Sequence, residues 1–178
     1  MRRVTSEEPV YVTIELNGRR MTGRATARML LTDFLRRELG ATGTHVGCEH
    51  GVCGACTLRI DGVAQRGCLT LALQADGRKV DTIEGLSASK DALSALQKAF
   101  HRNHALQCGY CTPGILMSFS DFLARNPDPD EREVREVLGG HICRCTGYAG
   151  LMKALMEAAA EMRRVSSETT DAELAKSQ

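Results

Sequence analysis

The spacing of four cysteines constrains this chain more than any other feature of its sequence. Four residues separate Cys48 from Cys53, two separate Cys53 from Cys56, and Cys68 follows after a longer gap. This is the plant-type spacing of thiolates that hold a [2Fe–2S] cluster, and the close triplet must come from one tight loop. Four glycines lie in the same loop, namely Gly43, Gly47, Gly51 and Gly54. We expect them to permit positive φ angles and to bring backbone N–H groups close to the cluster sulfurs.

The cysteines also allow two other interpretations. Cys-x-x-Cys is a zinc-ligand spacing as well, but zinc sites usually pair two such turns and need no glycine-rich loop. Eight cysteines in 178 residues could also form the disulfide framework of a secreted protein. Secretion is disfavoured, because the Arg2-Arg3 pair is followed by polar residues and not by the apolar segment of a signal peptide. We therefore expect a cytoplasmic protein whose clustered thiols hold metal.

The composition indicates which kinds of partner the chain can have and which residues its core can contain. The net charge of +1 does not suggest a nucleic acid or a membrane surface as a partner. No apolar run is long enough to span a bilayer, so we expect no membrane insertion. Aromatic residues are few, with no Trp, four Phe and three Tyr. Two small domains with such aliphatic cores would each need further stabilisation, which a metal cluster can supply.

The first half of the chain has the pattern of a small mixed sheet with one helix. Apolar and polar residues alternate over Val10–Leu16, and Asn17-Gly18 is a strong hairpin signal before a second strand, Arg19–Ala25. Apolar residues then recur at helical spacing over residues 30–39, ending at Gly40. After the cysteine loop, further strands are predicted over residues 57–60, 63–65 and 79–83. This order is that of the β-grasp ferredoxin fold, so we predict an α+β chain with such a domain over residues 10–84.

The second half has a helical pattern. Thr112-Pro113 predicts an N-cap followed by Pro at the first helical position, and further helices are predicted around residues 92–100, 130–138 and 149–164. We place the domain boundary near Glu84-Gly85 and an all-α domain over residues 85–165. Residues 1–9 are expected to be a flexible N-terminus, and the polar residues 166–178 a disordered tail.

A second set of cysteines precedes two of these helices. Cys108-Gly-Tyr-Cys111 comes before the helix at Thr112, and Cys143-Arg-Cys145 before the last helix. If the two helices are neighbours, four thiolates converge where the helix N-termini favour negative charge, as a second [2Fe–2S] centre would require. The one-residue gap between Cys143 and Cys145 is unusual for zinc.

Three motifs together carry a family resemblance. They are Gly47-Cys-Glu-His-Gly-Val-Cys-Gly-Ala-Cys56, Gln107-Cys-Gly-Tyr-Cys-Thr-Pro-Gly114 and Ile142-Cys-Arg-Cys-Thr-Gly-Tyr148. In this order they resemble the small iron–sulfur subunit of the xanthine oxidase family of molybdenum hydroxylases, including its carbon monoxide, nicotine and quinoline dehydrogenase types. The resemblance covers residues 10 to about 160. It implies a plant-type [2Fe–2S] domain followed by a four-helix [2Fe–2S] domain.

The resemblance also implies partners and a direction of electron flow. A large subunit would carry molybdenum–pterin cytosine dinucleotide, a medium subunit FAD, and the whole would form a dimer of heterotrimers. Electrons from water-dependent substrate hydroxylation would pass through the helical-domain cluster, then through the plant-type cluster, to FAD. Gln107 would hydrogen-bond the pterin and Cys145 would stand closest to it, although Gln107 could also be an ordinary polar residue between helices. This chain would have no substrate site of its own, so the substrate could be an N-heteroaromatic compound, an aldehyde, a purine or carbon monoxide.

Three positions depart from the family's usual residues. His45 stands where Lys is usual, Gly67 where Ser is common, and His141 where Asn is usual. None is a predicted ligand, and the histidines are interpreted as surface groups or as neighbours of the ligands. Two hypotheses from other classes stay open on the sequence: a zinc-stapled interaction module with two Cys₄ sites, and a free-standing two-cluster ferredoxin.

Overall fold

The computed structural model describes residues 8–87, 89 and 92–176, with side chains described as far as residue 165. The prediction of a flexible N-terminus therefore falls mainly on residues outside the described part. The first half contains five strands, which are β1 (Val10–Leu16), β2 (Arg19–Ala25), β3 (Thr57–Ile60), β4 (Val63–Arg66) and β5 (Lys79–Asp81). The second half contains four helices, which are α2 (Ala95–Arg102), α3 (Thr112–Arg125), α4 (Glu131–Gly139) and α5 (Ala149–Lys176). A mixed sheet followed by helices agrees with the predicted α+β class.

The sheet has the strand order β2-β1-β5-β3-β4. β1 pairs antiparallel with β2, from Val10 opposite Ala25 to Leu16 opposite Arg19, and parallel with β5. The alternation of β1 buries Val12, Ile14 and Leu16 on one face, as the sequence predicts. β3 pairs antiparallel with both β4 and β5. Strand β5 ends at Asp81, two residues before the predicted end at Ile83, and Ile83 instead begins a 3₁₀ turn, Ile83–Gly85.

The helix predicted over residues 30–39 is present in an unusual form. Helix α1 comprises only Leu31–Asp33 and continues as a π-helical turn over Phe34–Glu38. The wider turn is closed by the Leu39 amide, which donates to Phe34 O at 3.2 Å. Phe34 and Leu35 are fully buried under the sheet, so the predicted apolar face is correct although the winding differs.

The helical half has a separate hydrophobic core. Leu96, Phe100, Ile115, Phe119 and Leu155 are among its buried residues, and they come from α2, α3 and α5. The start of α3 differs from prediction, because Cys111 is the N-cap residue and Thr112 is already helical. The last helix also differs: its backbone continues to Lys176, past the end predicted near residue 164 and into the tail predicted to be disordered. The absence of Gly and Pro in residues 165–176 permits the continuation, which the Glu, Ala, Leu and Lys residues near its end favour.

The two halves meet along α3 and the cysteine loop before β3. Gly114 of α3 lies so close to this loop that a Cβ there would be 2.2 Å from Gly54 O. The Ala64 amide of β4 donates to the Asp121 carboxylate of α3 at 3.3 Å. These two contacts hold the two cysteine-bearing regions close to each other. Among the described residues, no helix combines the length and the apolar character needed to cross a membrane.

Candidate metal centres

Three cysteines of the first set, Cys48, Cys53 and Cys56, lie in the loop before β3, and the fourth, Cys68, follows β4. The Cys48 thiol interacts with that of Cys53, and the Cys56 thiol with that of Cys68. Cys48 and Cys53 are half-buried, whereas Cys56 and Cys68 are buried. The structure thus brings the four predicted ligands together as an outer pair and an inner pair.

Backbone amides supply hydrogen bonds to these sulfurs. The amides of His50 and Cys53 donate to the Cys48 sulfur at 3.3 and 3.4 Å, and the Cys68 amide donates to the Cys56 sulfur at 3.5 Å. The amide bonds from Cys53 and His50 lower the pKa of Cys48 to about 6, because they stabilise the thiolate. Burial instead raises the pKa of Cys56 to about 11. The Cys48 thiol is therefore ready to bind a cation, whereas the Cys56 thiol must lose its proton when metal enters.

The loop glycines serve two different purposes. Gly51 and Gly54 have φ near +77°, which other residues adopt only with strain. Gly47 has no positive φ; it is needed for close packing, since a Cβ there would lie 3.0 Å from the Cys53 sulfur. Gly43 is equally restricted, because its Cβ would lie 2.3 Å from Ile83. The expectation of positive φ thus holds for Gly51 and Gly54, while Gly43 and Gly47 are small for steric reasons.

The second set of cysteines lies in two segments, before α3 and before α5. The Cys108 and Cys145 sulfurs are 3.5 Å apart and both residues are exposed. The Cys111 thiol interacts with that of Cys143 farther inside. Cys111 is the N-cap residue of α3, whereas Cys145 precedes the first residue of α5, Ala149, by four positions. Only one of the two expected helix N-termini therefore bears a cysteine directly.

Hydrogen bonds distinguish the thiols of this set. Burial raises the pKa of Cys111 to about 12. Burial acts on Cys143 in the same direction, but the Thr146 hydroxyl and amide, at 3.1 and 3.5 Å from its sulfur, give its pKa a net downward shift. Tyr148 supports this turn, since its hydroxyl donates to His141 O at 3.1 Å and accepts from the Cys143 amide at 2.8 Å.

A cavity of about 200 Å³ lies between the two sets of cysteines. One wall contains Gly47, Cys53 and Ala55, and all four cysteines of the second set line the opposite side. The Ile142 amide donates to Cys53 O at 2.9 Å across this junction. The two predicted centres are therefore adjacent and joined by backbone.

The donor sets fit [2Fe–2S] clusters, in which each of two irons takes two thiolates. Each set consists of two close thiol pairs, which is the arrangement such a cluster needs. Within the described residues, no three Cys, His, Asp or Glu side chains are grouped tightly enough to bind a single metal ion.

Several neighbours of the cysteines have specific positions. Gln107 is exposed beside Cys108. The rings of His45 and Tyr110 stack with centroids 4.6 Å apart, and the Tyr110 hydroxyl donates to Val46 O at 2.7 Å. Of the two positions predicted for the histidines, His141 does not have the surface one: it is buried, two residues before Cys143, and its Nε2 is hydrogen-bonded to Ser118 at 2.8 Å.

Sequence reasoning missed Arg66 and Thr146. Thr146 could have been found from its place next to a predicted ligand, because Thr hydroxyls often bond nearby backbone or sulfur. Arg66 of β4 bonds to Gly51 O and Gly140 O, and no local sequence signal distinguishes it from an ordinary surface arginine.

Comparison with known proteins agrees with this geometry. Residues 28–101 match a family model described as a 2Fe-2S iron-sulfur cluster binding domain, and residues 82–156 match one described as a [2Fe-2S] binding domain. Both descriptions favour iron–sulfur over the zinc module.

Three similar proteins cover most of the chain. The nicotine 6-hydroxylase small subunit of Paenarthrobacter nicotinovorans is 54% identical over 84% of this chain and 89% of its own. The caffeine dehydrogenase subunit gamma of Pseudomonas sp. (strain CBB1) is 48% identical over 81% of this chain and 87% of its own. A chain in the crystal structure of quinoline 2-oxidoreductase from Pseudomonas putida 86 has a TM-score of 0.84 and 47% identity, covering 89% of this chain and 98% of that one.

Proposed function

Because the chain belongs to the small iron–sulfur subunits of the xanthine oxidase family of molybdenum hydroxylases, we propose that it relays electrons from a molybdenum–pterin cytosine dinucleotide subunit to an FAD subunit. As a subunit of an oxidoreductase with two [2Fe–2S] binding domains, it takes part in electron transfer. The single observation that carries the finer proposal is the pair of facing cysteine sets, joined from Cys53 O to the Ile142 amide.

The proposed ligands are the eight cysteines. Cys48, Cys53, Cys56 and Cys68 would hold the first cluster in a β-grasp domain over residues 10–84, and Cys108, Cys111, Cys143 and Cys145 the second in a four-helix domain over residues 85–165. Each bound cluster supplies a one-electron redox centre. The chain's own residues bury Cys56, Cys68 and Cys111 and leave the other ligands nearer to the surface. Backbone amides donate to the sulfurs of Cys48 and Cys56.

The exposure of residues near each set supports the assignment of faces. Gln107, Cys108 and Cys145 are exposed together, so this side is available for the pterin, with Gln107 as a hydrogen-bonding partner. Val52 and Leu69 are exposed large apolar residues beside the first set, at 61% and 64%. Such residues are suited to contact with a partner protein, which we propose is the FAD subunit. The assembled enzyme would be a dimer of heterotrimers.

The relatives named above support a proposal for the substrate class. Their names refer to nicotine, caffeine and quinoline, which are all nitrogen heterocycles. We propose that the assembled enzyme oxidises an N-heteroaromatic compound at the molybdenum subunit, with oxygen taken from water.

Metal analysis and spectroscopy of the purified complex test the proposal. We expect about four iron atoms and four acid-labile sulfides per copy of this chain, and two distinct paramagnetic signals after reduction, because the two sets differ in spacing and exposure. Addition of an N-heteroaromatic substrate should reduce both centres before FAD. A complex with zinc in place of iron, or with about two irons per chain, would contradict the assignment of the ligands.

A further inference from the structure

Arg66 lies between the two cysteine-bearing regions. It is the last residue of β4 and stands two positions before Cys68. Its Nε donates to Gly51 O at 3.4 Å, inside the loop of the first set, and its Nη2 donates to Gly140 O at 2.7 Å, three residues before Cys143. Its Nη1 donates to the Thr57 hydroxyl at the start of β3. One side chain thus joins three segments that are distant in sequence.

The planar guanidinium is suited to this task. Arg carries donors in a fixed fork, whereas Lys offers one ammonium on a flexible stem. The space around Gly140 is limited, since a Cβ there would lie 3.2 Å from Arg66 Nη2. On the other side of the same junction, Gly54 lies so close to Gly140 O that a Cβ would be 2.7 Å from it. The Arg66 side chain therefore closes a tight contact between the first cysteine loop and the segment that leads to Cys143.

The positive charge of Arg66 is not neutralised by its partners. All three acceptors are neutral oxygens, two carbonyls and one hydroxyl. In the part of the chain whose side chains are described, no carboxylate forms an ion pair with this guanidinium. A partly buried cation therefore lies at the contact between the loop of the first cysteine set and the segment that leads to Cys143.

We propose that Arg66 is a positioning residue that fixes the two cysteine-bearing regions relative to each other and makes both bound clusters easier to reduce. The proposal rests on the proposed function. Reduction adds negative charge to a thiolate-bound cluster, so a nearby cation stabilises the reduced form. The guanidinium donates to both Gly51 O and Gly140 O and so holds the two segments in place. This keeps the Ile142 amide hydrogen-bonded to Cys53 O.

Two substitutions distinguish the effect of the Arg66 charge from the effect of its hydrogen bonds. Both variants are measured in the complete complex. Arg66→Gln removes the charge, so the midpoint potentials of both clusters, followed by paramagnetic resonance during a redox titration, should shift to more negative values. Arg66→Lys keeps the charge but cannot reach three acceptors; its potentials should stay close to those of the unaltered protein, while hydrogen exchange at the Ile142 amide becomes faster. The control is Arg132→Gln, which removes the same charge from an exposed pair with Glu136 and should change neither measurement.

Each possible result of these measurements either supports or overturns the proposal. Unchanged potentials in Arg66→Gln, or an equal shift in Arg132→Gln, would overturn the proposal. If the glutamine variant does not assemble, the lysine variant decides, and unchanged exchange at Ile142 would then overturn it. Iron content and the two signals of the unaltered complex test the proposed function separately, so a failure of Arg66 to act is distinguishable from an absence of clusters.

Discussion

At the scale of single residues, Cys48, Cys56 and Cys111 have very different proton affinities although their thiols are chemically identical. Amide hydrogen bonds lower the pKa of Cys48 to about 6, and burial raises those of Cys56 to about 11 and Cys111 to about 12. The first set therefore combines a thiol that ionises readily, Cys48, with one that stays protonated until a cation is present, Cys56. Metal loading must therefore release protons from the buried thiols of Cys56 and Cys111.

Thr146 offers a test of how one hydrogen bond affects the second centre. Its hydroxyl donates to the Cys143 sulfur at 3.1 Å, and such a bond favours the more negative state of a ligand. Thr146→Val removes the donor and keeps the shape. We expect the midpoint potential of the second cluster to fall by about 40 mV for each kcal/mol of lost differential stabilisation, measured by redox titration of its paramagnetic signal.

The control for Thr146 is Thr22→Val, which removes an exposed hydrogen bond to Thr13 in the sheet. It should leave both potentials unchanged. An equal shift of the two clusters in Thr146→Val would contradict a local effect on Cys143.

At the scale of elements, the parts fixed by local chemistry were predictable. The hairpin of β1 and β2 has the predicted strand bounds, because alternation fixes its buried face and Asn17-Gly18, both with positive φ, fixes its turn. The start of α4 is also local, since Asp130 and Glu133 form a capping box. The π-helical turn at Phe34–Glu38 was not predictable, as apolar spacing does not distinguish it from an α-helix.

The candidate site likewise has parts that were predictable from the sequence and parts that were not. Each group of cysteines is visible as a motif, and the structure brings the members of each set together. The role of Arg66 could not be read from the sequence, because its acceptors Gly51 and Gly140 lie 15 and 74 positions away. The burial of His141 likewise depends on its contact with Ser118 of α3, which only the tertiary fold provides.

The contact of α3 with the first cysteine loop can be tested with glycines. Gly114→Ala would place a Cβ 2.2 Å from Gly54 O, a backbone atom that cannot move without moving the loop. We expect a loss of about 1–3 kcal/mol in the free energy of unfolding, measured by denaturant titration, together with a lower iron content.

Gly139 at the end of α4 is the matched control, because a Cβ there meets no atom within 4 Å. Gly139→Ala should be neutral or should stabilise by up to about 1 kcal/mol, owing to the better helix propensity of Ala. Equal effects of the two substitutions would show that the contact of Gly114 is unimportant.

Helices α2 and α5 are joined by a charged network with a defined pH dependence. Glu157 accepts from the Asn103 side chain at 2.5 Å and from Arg102 at 2.5 Å, and these bonds hold its pKa below its ordinary value of 4.5. A carboxylate with a lowered pKa contributes stability above its unfolded pKa and loses that contribution as pH falls through the folded pKa. Glu157→Gln should therefore reduce stability near neutral pH, and its difference from the unaltered protein should shrink below about pH 4.5.

Denaturant titration across this pH range measures the effect. Glu136→Gln, which alters an exposed pair with Arg132 on α4, serves as the reference and should change stability little. A difference between Glu157→Gln and the unaltered protein that stays constant down to acid pH would contradict the assigned role of the carboxylate.

At the scale of the whole molecule, two sulfur-rich regions are packed against each other and each has exposed residues of its own. The second set exposes Cys108 and Cys145, and the first set lies beside the exposed apolar residues Val52 and Leu69. A chain that relays electrons accepts them at one surface and passes them on at another, so the two steps can be altered separately. If the proposed faces are correct, substitutions near one set should affect only the step that occurs there.

The last prediction compares substitutions at these two faces in the assembled enzyme. Gln107→Ala removes an exposed amide but no proposed ligand, so both clusters should be retained. Loss of a hydrogen bond to a buried pterin costs about 1–3 kcal/mol, and reduction of the clusters by substrate should become slower while electron exchange with FAD is unchanged. Val52→Ser, in the loop of the first set, should have the opposite pattern, because it weakens the apolar contact with the flavoprotein. Rapid-mixing absorbance measurements separate the two steps. The faces are reversed if Gln107→Ala slows only the FAD step and Val52→Ser slows only reduction by substrate.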